Sequence, residues 1–353
     1  MKEPGYLELY RSGELGRRAG LAAAVLEACA LCPRRCGVNR AAGELGFCGA
    51  GAAARVYASG AHHGEEPPLS GRRGAGTIFF SHCTMRCLYC QNYPFSAMGE
   101  GEVTRPAELA RIMLRLQAGG CHNIELVSPS HYLPRILEAL LVAAEGGLKI
   151  PIVYNTNAYE SMETLLLLEG VVDIYLPDYK YGRNAEALEF SATPGYTRFA
   201  RAAVVEMHRQ VGVLQQAGGV AVRGIIIRHL VLPSDCDRIG ESLGWIAGSL
   251  PPETAVSLMG QYLPLHRAAQ DPRMMRRVSE QEMENALDIA MELGLTNIIY
   301  QEVPGDKASS AYRGDRIKAA IQNSKCKAQN MGNRKLEKMN PSKGGQAQRK
   351  TAN

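Results

Sequence analysis

From residue 77 the chain alternates short apolar, β-prone runs with amphipathic stretches, and that alternation restricts it to one class of fold. The runs are TIFFS (77–81), NIELVS (123–128), PIVYNT (151–156), VVDIYLP (171–177), VRGIIIRHLVLP (222–233) and AVSLMGQYL (255–263). Between them apolar residues recur at helical spacing, over 106–117, 133–145, 161–169, 198–211 and 238–250. Continuous apolar strands separated by helices predict a parallel sheet covered on its outer face, an α/β fold. Six such units form most of a barrel. A closed barrel of eight units is the alternative, with a helix over 279–293 and a strand over 296–301 as extra elements. In either case the chemistry belongs at the carboxyl ends of the strands, where the connecting loops converge.

The first run leads directly into Cys83, Cys87 and Cys90, spaced C-x3-C-x2-C. Three thiols so close cannot all pair, whereas one loop can wrap them around a corner of a metal centre. Thiolate-rich sites favour iron-sulfur clusters or zinc. A [4Fe-4S] cube held by three cysteines keeps one iron open for a substrate or cofactor, as an open position distinguishes catalytic from structural zinc. A zinc site completed by His82 or a distant ligand is the other reading. Upstream, Cys29, Cys32, Cys36 and Cys48 form C-x2-C-x3-C-x11-C in a Pro- and Gly-containing stretch. Four thiolates saturate a metal, so this N-terminal element is a second metal site, zinc or iron-sulfur. Of the ten cysteines only Cys121, Cys236 and Cys326 are isolated, a usage that points to metal binding in a reducing cytoplasm.

The net charge of +5 is unevenly spread. Residues 306–353 carry twelve Lys/Arg and three Asp/Glu, a net of +9, which leaves the first 305 residues near −4. Nucleic-acid binding by the folded part therefore gains no support from charge. The apolar stretch 21–28 is short and contains Glu27, and no run approaches the length of a membrane span. The expected organisation is N-terminal helices and the four-cysteine element over 1–60, the barrel over 61–305, and a basic tail over 306–353 that is disordered by composition. Residues 51–76 are rich in turn formers. There His62 and His63 read as solvated loop residues, and Glu65 and Glu66 as lining the approach to the cysteines.

Period-two alternation places Asn155 and Asn157 on one face after the third run, and Asp178 and Lys180 on one face after the fourth. An acid and a base at one strand end neutralise each other and can hold a charged ligand. Arg228, on the fifth run, suits a carboxylate or ribose contact. His131 reads as a cap or core histidine, and Gln261 and Tyr262 as rim residues.

Taken in order, CALCPRRC, EEPPLSG, GTIFFSHCTMRCLYCQNYPFS, NIELVSPSHYLP, VYNTNAYE, IYLPDYKY and RHLVLP resemble the radical S-adenosylmethionine (SAM) enzymes, in particular proteins related to the pyruvate formate-lyase activating enzyme, over roughly residues 25 to 305. The resemblance implies a partial (β/α)6 barrel and a [4Fe-4S] cluster on Cys83, Cys87 and Cys90. It implies that SAM binds the open iron and is cleaved reductively to a 5′-deoxyadenosyl radical that abstracts hydrogen from a substrate. It places Tyr89 beside the adenine, Gln91 and Asn92 near the cluster sulfurs or ribose, and Asp178 with Lys180 as the Asp-x-Lys element of activating enzymes. Where many members carry Gly-Gly-Glu for the SAM amino group, this chain has Ser128 and Ser130. No catalytic side chain is singled out. The implied partners are a glycyl-radical enzyme whose backbone glycine is the hydrogen donor, and a flavodoxin or ferredoxin as electron donor. QNYPFS after Cys90 and the N-terminal position of the four-cysteine element depart from true activating enzymes, so a small molecule or another macromolecule is an alternative substrate. A non-catalytic iron-sulfur or zinc redox protein is the alternative of a different class.

Overall fold

Ten strands, in the computed structural model of residues 3–301 and 303, build one sheet whose carboxyl edge gathers the cysteine loop and most of the other polar candidates. They are β1 (Ala54–His62), β2 (Ala75–Phe80), β3 (Glu102–Thr104), β4 (Ile124–Val127), β5 (Ile152–Thr156), β6 (Ile174–Pro177), β7 (Gln215–Ala217), β8 (Val220–Leu230), β9 (Ala255–Met259) and β10 (Ile298–Gln301). Their spatial order is β10-β9-β8-β6-β5-β4-β2-β1-β3, with β7 added on β8. The seven strands from β2 to β10 in that path run parallel. At the other end β1 is antiparallel to both β2 and β3. The sheet is therefore mixed and open, and among the described residues it does not close into the eight-unit barrel of the alternative reading. The basic tail and Cys326 lie outside the described residues.

Every residue of β4, β5, β6 and β9 is buried, which is why these strands read as mostly apolar runs without polar alternation. Helices return the chain between parallel strands: Pro106–Ala118, Leu133–Glu145, Met162–Leu168, Tyr196–Val211, Ile239–Ser249 and Glu280–Glu292. Local chemistry starts several of them. Pro106 occupies a first-turn position, Ser161 accepts from the Thr164 N–H, and Ser279 with Glu282 forms a capping box.

Three departures from the expected layout have physical causes. β1 was not foreseen because ARVYASGAH buries only Ala54 and Val56 and so carries no apolar run or clean alternation. It also crosses the expected 60/61 boundary and pairs with β2, so the four-cysteine element and the sheet share one compact unit. The segment between β1 and β2 is exposed at His63 but partly internal, for Leu69 packs in a cluster with Val153, Ile174, Leu176 and Ile226 from three different strands. Finally, a second helix, Asn184–Ser191, precedes Tyr196–Val211 in its crossover. Among the described residues no helix is long and apolar enough to cross a membrane.

Candidate functional site

The loop after β2 is held open by its own backbone hydrogen bonds to distant segments. The His82 N–H donates to Phe95 O (2.8 Å), Arg86 to Ser191 O (3.0 Å) and Leu88 to Phe190 O (2.8 Å), while the Arg267 N–H donates to Leu88 O (2.9 Å). With its peptide groups tied in this way, the loop turns Cys83, Cys87 and Cys90 into one cavity of about 350 Å³, whose wall also includes Met85, Met98 and His266.

Each of the three sulfurs meets a side-chain hydrogen-bond donor. Asn157 Nδ2 lies 3.4 Å from Cys83 Sγ, Ser191 Oγ 3.0 Å from Cys87 Sγ, and Ser96 Oγ 3.1 Å from Cys90 Sγ. Burial pushes all three thiols above their ordinary range; these donors, and the Lys180 ammonium, pull the other way. Such contacts orient ligand thiolates and stabilise their charge. All nine described cysteines are free thiols. Among the described residues no group of three or more His, Cys, Asp or Glu side chains is placed to hold a metal ion.

Beside the cysteines, at the ends of β6 and β8, lies a buried ionic network. Lys180 Nζ donates to Asp178 Oδ2 at 2.7 Å, with the two side chains only 15% and 22% exposed, so this is no surface ion pair. Arg228 reaches three carboxyl groups: Glu66 Oε1 at 3.3 Å, Glu65 Oε2 at 3.5 Å and Asp178 Oδ1 at 3.5 Å. A fourth, Glu125 on β4, is fully buried and accepts from Asn155 Nδ2 at 2.7 Å. Burial raises the Glu66 and Glu125 carboxyls, and Glu65 raises Glu125 further. Burial also opposes charge on Glu65 and Asp178, but Arg228 holds the first below its ordinary value and Lys180 with Arg228 the second. Two carboxylates then face two cations, and burial opposes charge on the other two carboxyls. Burial works against the Lys180 charge too, yet Asp178 and the Cys87 and Cys90 sulfurs hold that ammonium above its usual range. Lys180 thus joins the network to the thiols.

The other expected positions are distributed differently. Tyr89 is 4% exposed, accepts from the Tyr181 hydroxyl at 2.8 Å and packs on the Tyr181 and Tyr262 rings; it supports the loop from behind and does not line the cavity. Asn92 is exposed and begins the short helix Tyr93–Ser96. Gln91 Nε2 donates to Gln261 O at 2.8 Å. Ser128 holds a left-handed backbone (φ 56°) at the end of β4, where the chain must turn sharply, and Ser130 turns inward to hydrogen-bond Glu160. Asn157 serves the cysteine loop, binding Thr84 Oγ1 (2.9 Å) as well as Cys83. His131 is a core residue whose Nε2 meets Ser81 O at 2.8 Å, its pKa pushed down to about 3 by burial. His62 is not simply solvated: its Nδ1 stands 3.1 Å from Glu65 Oε1. Sequence reasoning missed Ser96, Ser191 and Glu125, none of which stands in a motif that signals its role.

No family model matches the chain. It is 30% identical over 308 residues to "Uncharacterized protein MJ0674" of Methanocaldococcus jannaschii, a match that covers 83% of each chain. The chain belongs to the MJ0674 family. A second protein of that organism, "Uncharacterized protein MJ0808", is 24% identical over 305 residues, covering 80% of this chain and 84% of its own. In this member of the MJ0674 family, the cysteine loop, the Asp178–Lys180 pair and Arg228 all sit at or just beyond the carboxyl ends of parallel strands, the edge at which α/β sheets bind their ligands.

Proposed function

We propose that this protein is a radical SAM enzyme. The observation that carries the reading is the placement of Cys83, Cys87 and Cys90 around one cavity at the carboxyl end of β2, each sulfur beside its own hydrogen-bond donor. A zinc ion requires its ligands to converge on a point, whereas a [4Fe-4S] cluster takes each cysteine on a different iron. The donor set therefore suits the cluster, with one iron open. The seven parallel strands are read as a radical SAM barrel left open at both edges, the partial (β/α)6 arrangement with one strand more.

The bound cluster and SAM supply the reducing chemistry that generates a 5′-deoxyadenosyl radical; the chain supplies positioning and charge. Cys83, Cys87 and Cys90 hold the cluster. Lys180 presents a cation on the thiol side of the network and would receive the SAM carboxylate, with Asp178 orienting it. Arg228 and Ser128 complete the proposed cofactor side, while Asn157, Ser96 and Ser191 hold the sulfurs. Tyr89 and Asn92 act on the loop and not on the cofactor. The proposed hydrogen donor is a backbone glycine of a partner enzyme, on the strength of the sequence resemblance, with flavodoxin or ferredoxin as electron source in a reducing cytoplasm.

Anaerobically reconstituted protein, reduced with dithionite and given SAM, should release 5′-deoxyadenosine and methionine. An intact cluster that yields neither product overturns the enzyme reading. A glycyl-radical signal in electron paramagnetic resonance (EPR) after mixing with candidate partners tests the substrate separately.

A further inference from the structure

Cys29, Cys32, Cys36 and Cys48 lie against the cysteine loop of the candidate site, and the contacts between the two are cationic. Arg34, between Cys32 and Cys36, lays its guanidinium 3.3 Å above the Phe47 ring, beside Cys48. From there Nε donates to Thr84 O (2.7 Å), next to Cys83, and Nη2 to Ala192 O (2.7 Å), next to the Ser191 that touches Cys87. Arg86, next to Cys87, returns the contact by donating to Phe47 O at 2.7 Å.

The second cation is Arg40, 1% exposed. Its Nη1 donates to His131 O at 2.8 Å and lies 3.8 Å from Cys29 Sγ; its Nη2 donates to Gly51 O, and its Nε has no hydrogen-bond partner. Neither Arg34 nor Arg40 meets a carboxylate among the described residues. A guanidinium cannot shed its proton, and burying one without an opposing charge is strongly unfavourable. The thiols that face these cations are Cys29 and Cys48 beside Arg40, and Cys32 and Cys36 beside Arg34, which also faces Cys83 and Tyr159. Gly46 leaves room for one of them: a Cβ there would stand 3.0 Å from Cys36 Sγ.

We propose that Cys29, Cys32, Cys36 and Cys48 hold a second, redox-active iron-sulfur cluster, its negative charge balanced by Arg40 and Arg34, which passes electrons to the Cys83–Cys87–Cys90 centre. Four cysteines occupy all four irons of a cube, so no ligand position remains for chemistry, and electron transfer is the role left to such a centre. The balance is one electron in and one out. A low-potential one-electron carrier is oxidised, the four-cysteine cluster is transiently reduced, and the electron leaves for the second centre, where it breaks one carbon–sulfur bond of the SAM sulfonium. Arg34 is the positioning residue that holds the two elements in register. Only the destination of the electron rests on the radical SAM reading; occupancy of the four-cysteine site does not.

The test uses the full chain, purified and reconstituted anaerobically, with all three of Cys83, Cys87 and Cys90 replaced by Ala. It should retain about four irons and four sulfides per chain and give an EPR signal on reduction. Zinc in place of iron, or no metal, overturns the proposal. Should that variant fail to fold, Arg40→Met in the otherwise intact chain decides. One of two redox titration waves should move to more negative potential, because removing a buried cation disfavours the reduced, more negative cluster. A single wave, or two unmoved waves, overturns it. The converse variant, Cys29, Cys32, Cys36 and Cys48 all replaced by Ala, reports on the other centre alone. Absence of iron there sinks the radical SAM reading and leaves the four-cysteine cluster standing.

Discussion

Replacing Arg228 with Met removes the one guanidinium on which Glu65, Glu66 and Asp178 converge, at 3.3 to 3.5 Å. Breaking a buried ion pair costs roughly 3–5 kcal/mol because an uncompensated charge is left behind. The structure argues for the lower end. Burial already pushes Glu66 toward its neutral form, Asp178 keeps Lys180 at 2.7 Å, and Glu65 keeps His62 at 3.1 Å. About 3 kcal/mol over about 300 residues, at roughly 2.1 cal/mol/K of unfolding entropy each, corresponds to a fall in Tm of about 5 °C. The pH dependence has a definite sign. Glu65, despite its burial, is held below its ordinary value of 4.5 by Arg228, so its share of the stability is fully present above that pH and lost as pH falls through its folded value. In the variant the same carboxyl rises, and ionising it opposes folding. Scanning calorimetry on both proteins from pH 4 to 8 should therefore show the gap in Tm widest above pH 6 and narrowing toward pH 4. A gap under about 2 °C, or one that does not change with pH, refutes the charge assignment. So would a fall in Glu66→Gln as large as in Arg228→Met, since that substitution removes no charge if Glu66 is neutral.

Glu160 is pushed up to about 7 by burial, although Ser130, Thr156 and Tyr154 all donate toward it. Its stabilising share is present below its unfolded value of 4.5 and lost as pH rises through 7, so Glu160→Gln should gain on the wild type by about 3 kcal/mol between those limits; a Tm difference that is flat with pH counts against this. Ser191→Ala takes the hydroxyl from Cys87 Sγ and should leave the iron content intact while lowering the cluster potential in an EPR-monitored titration, an unshifted potential being the contrary result. Gly76→Ala would put a Cβ 2.6 Å from Asn123 O, just ahead of β4, where backbone cannot give way cheaply. The expected cost is about 1–3 kcal/mol, read as a Tm drop of a few degrees, and an unchanged Tm would show that β2 and β4 can spread.

The legible parts of this molecule were those whose physics is local. Strands buried on both faces leave a mostly apolar run in the chain, so β4, β5, β6 and β9 could be read directly; β1, which buries only Ala54 and Val56, could not. The cysteine spacings and the Asp178–Lys180 pair were equally local, each lying within a single loop or strand end. What escaped depends on tertiary approach. Glu65 and Glu66 meet Arg228 across more than 160 residues of chain, and no property of the EEPP stretch says that its acids are internal. Ser191 reaches Cys87 from a helix in the crossover after β6, 104 positions away, and an isolated serine carries no signal.

Lys180 ties these observations together electrostatically. Its ammonium is shared between Asp178 and the thiol side, where Cys83, Cys87 and Cys90 are each pushed up by burial and each eased by the same cation. One ammonium cannot offset three thiolates in a buried site, because each added charge carries its own desolvation cost. Without a metal the thiols therefore hold their protons, and any metal bound at this loop would have to release them, so its uptake would be favoured by rising pH. The carboxylate network sets the other limit. Asp178 and Glu65 already face Lys180 and Arg228, so an anionic group brought to Lys180 competes with Asp178 and sets three anions against these two cations. A ligand carboxylate is therefore held there only at the expense of the Asp178–Lys180 pair or together with a positive charge of the ligand's own.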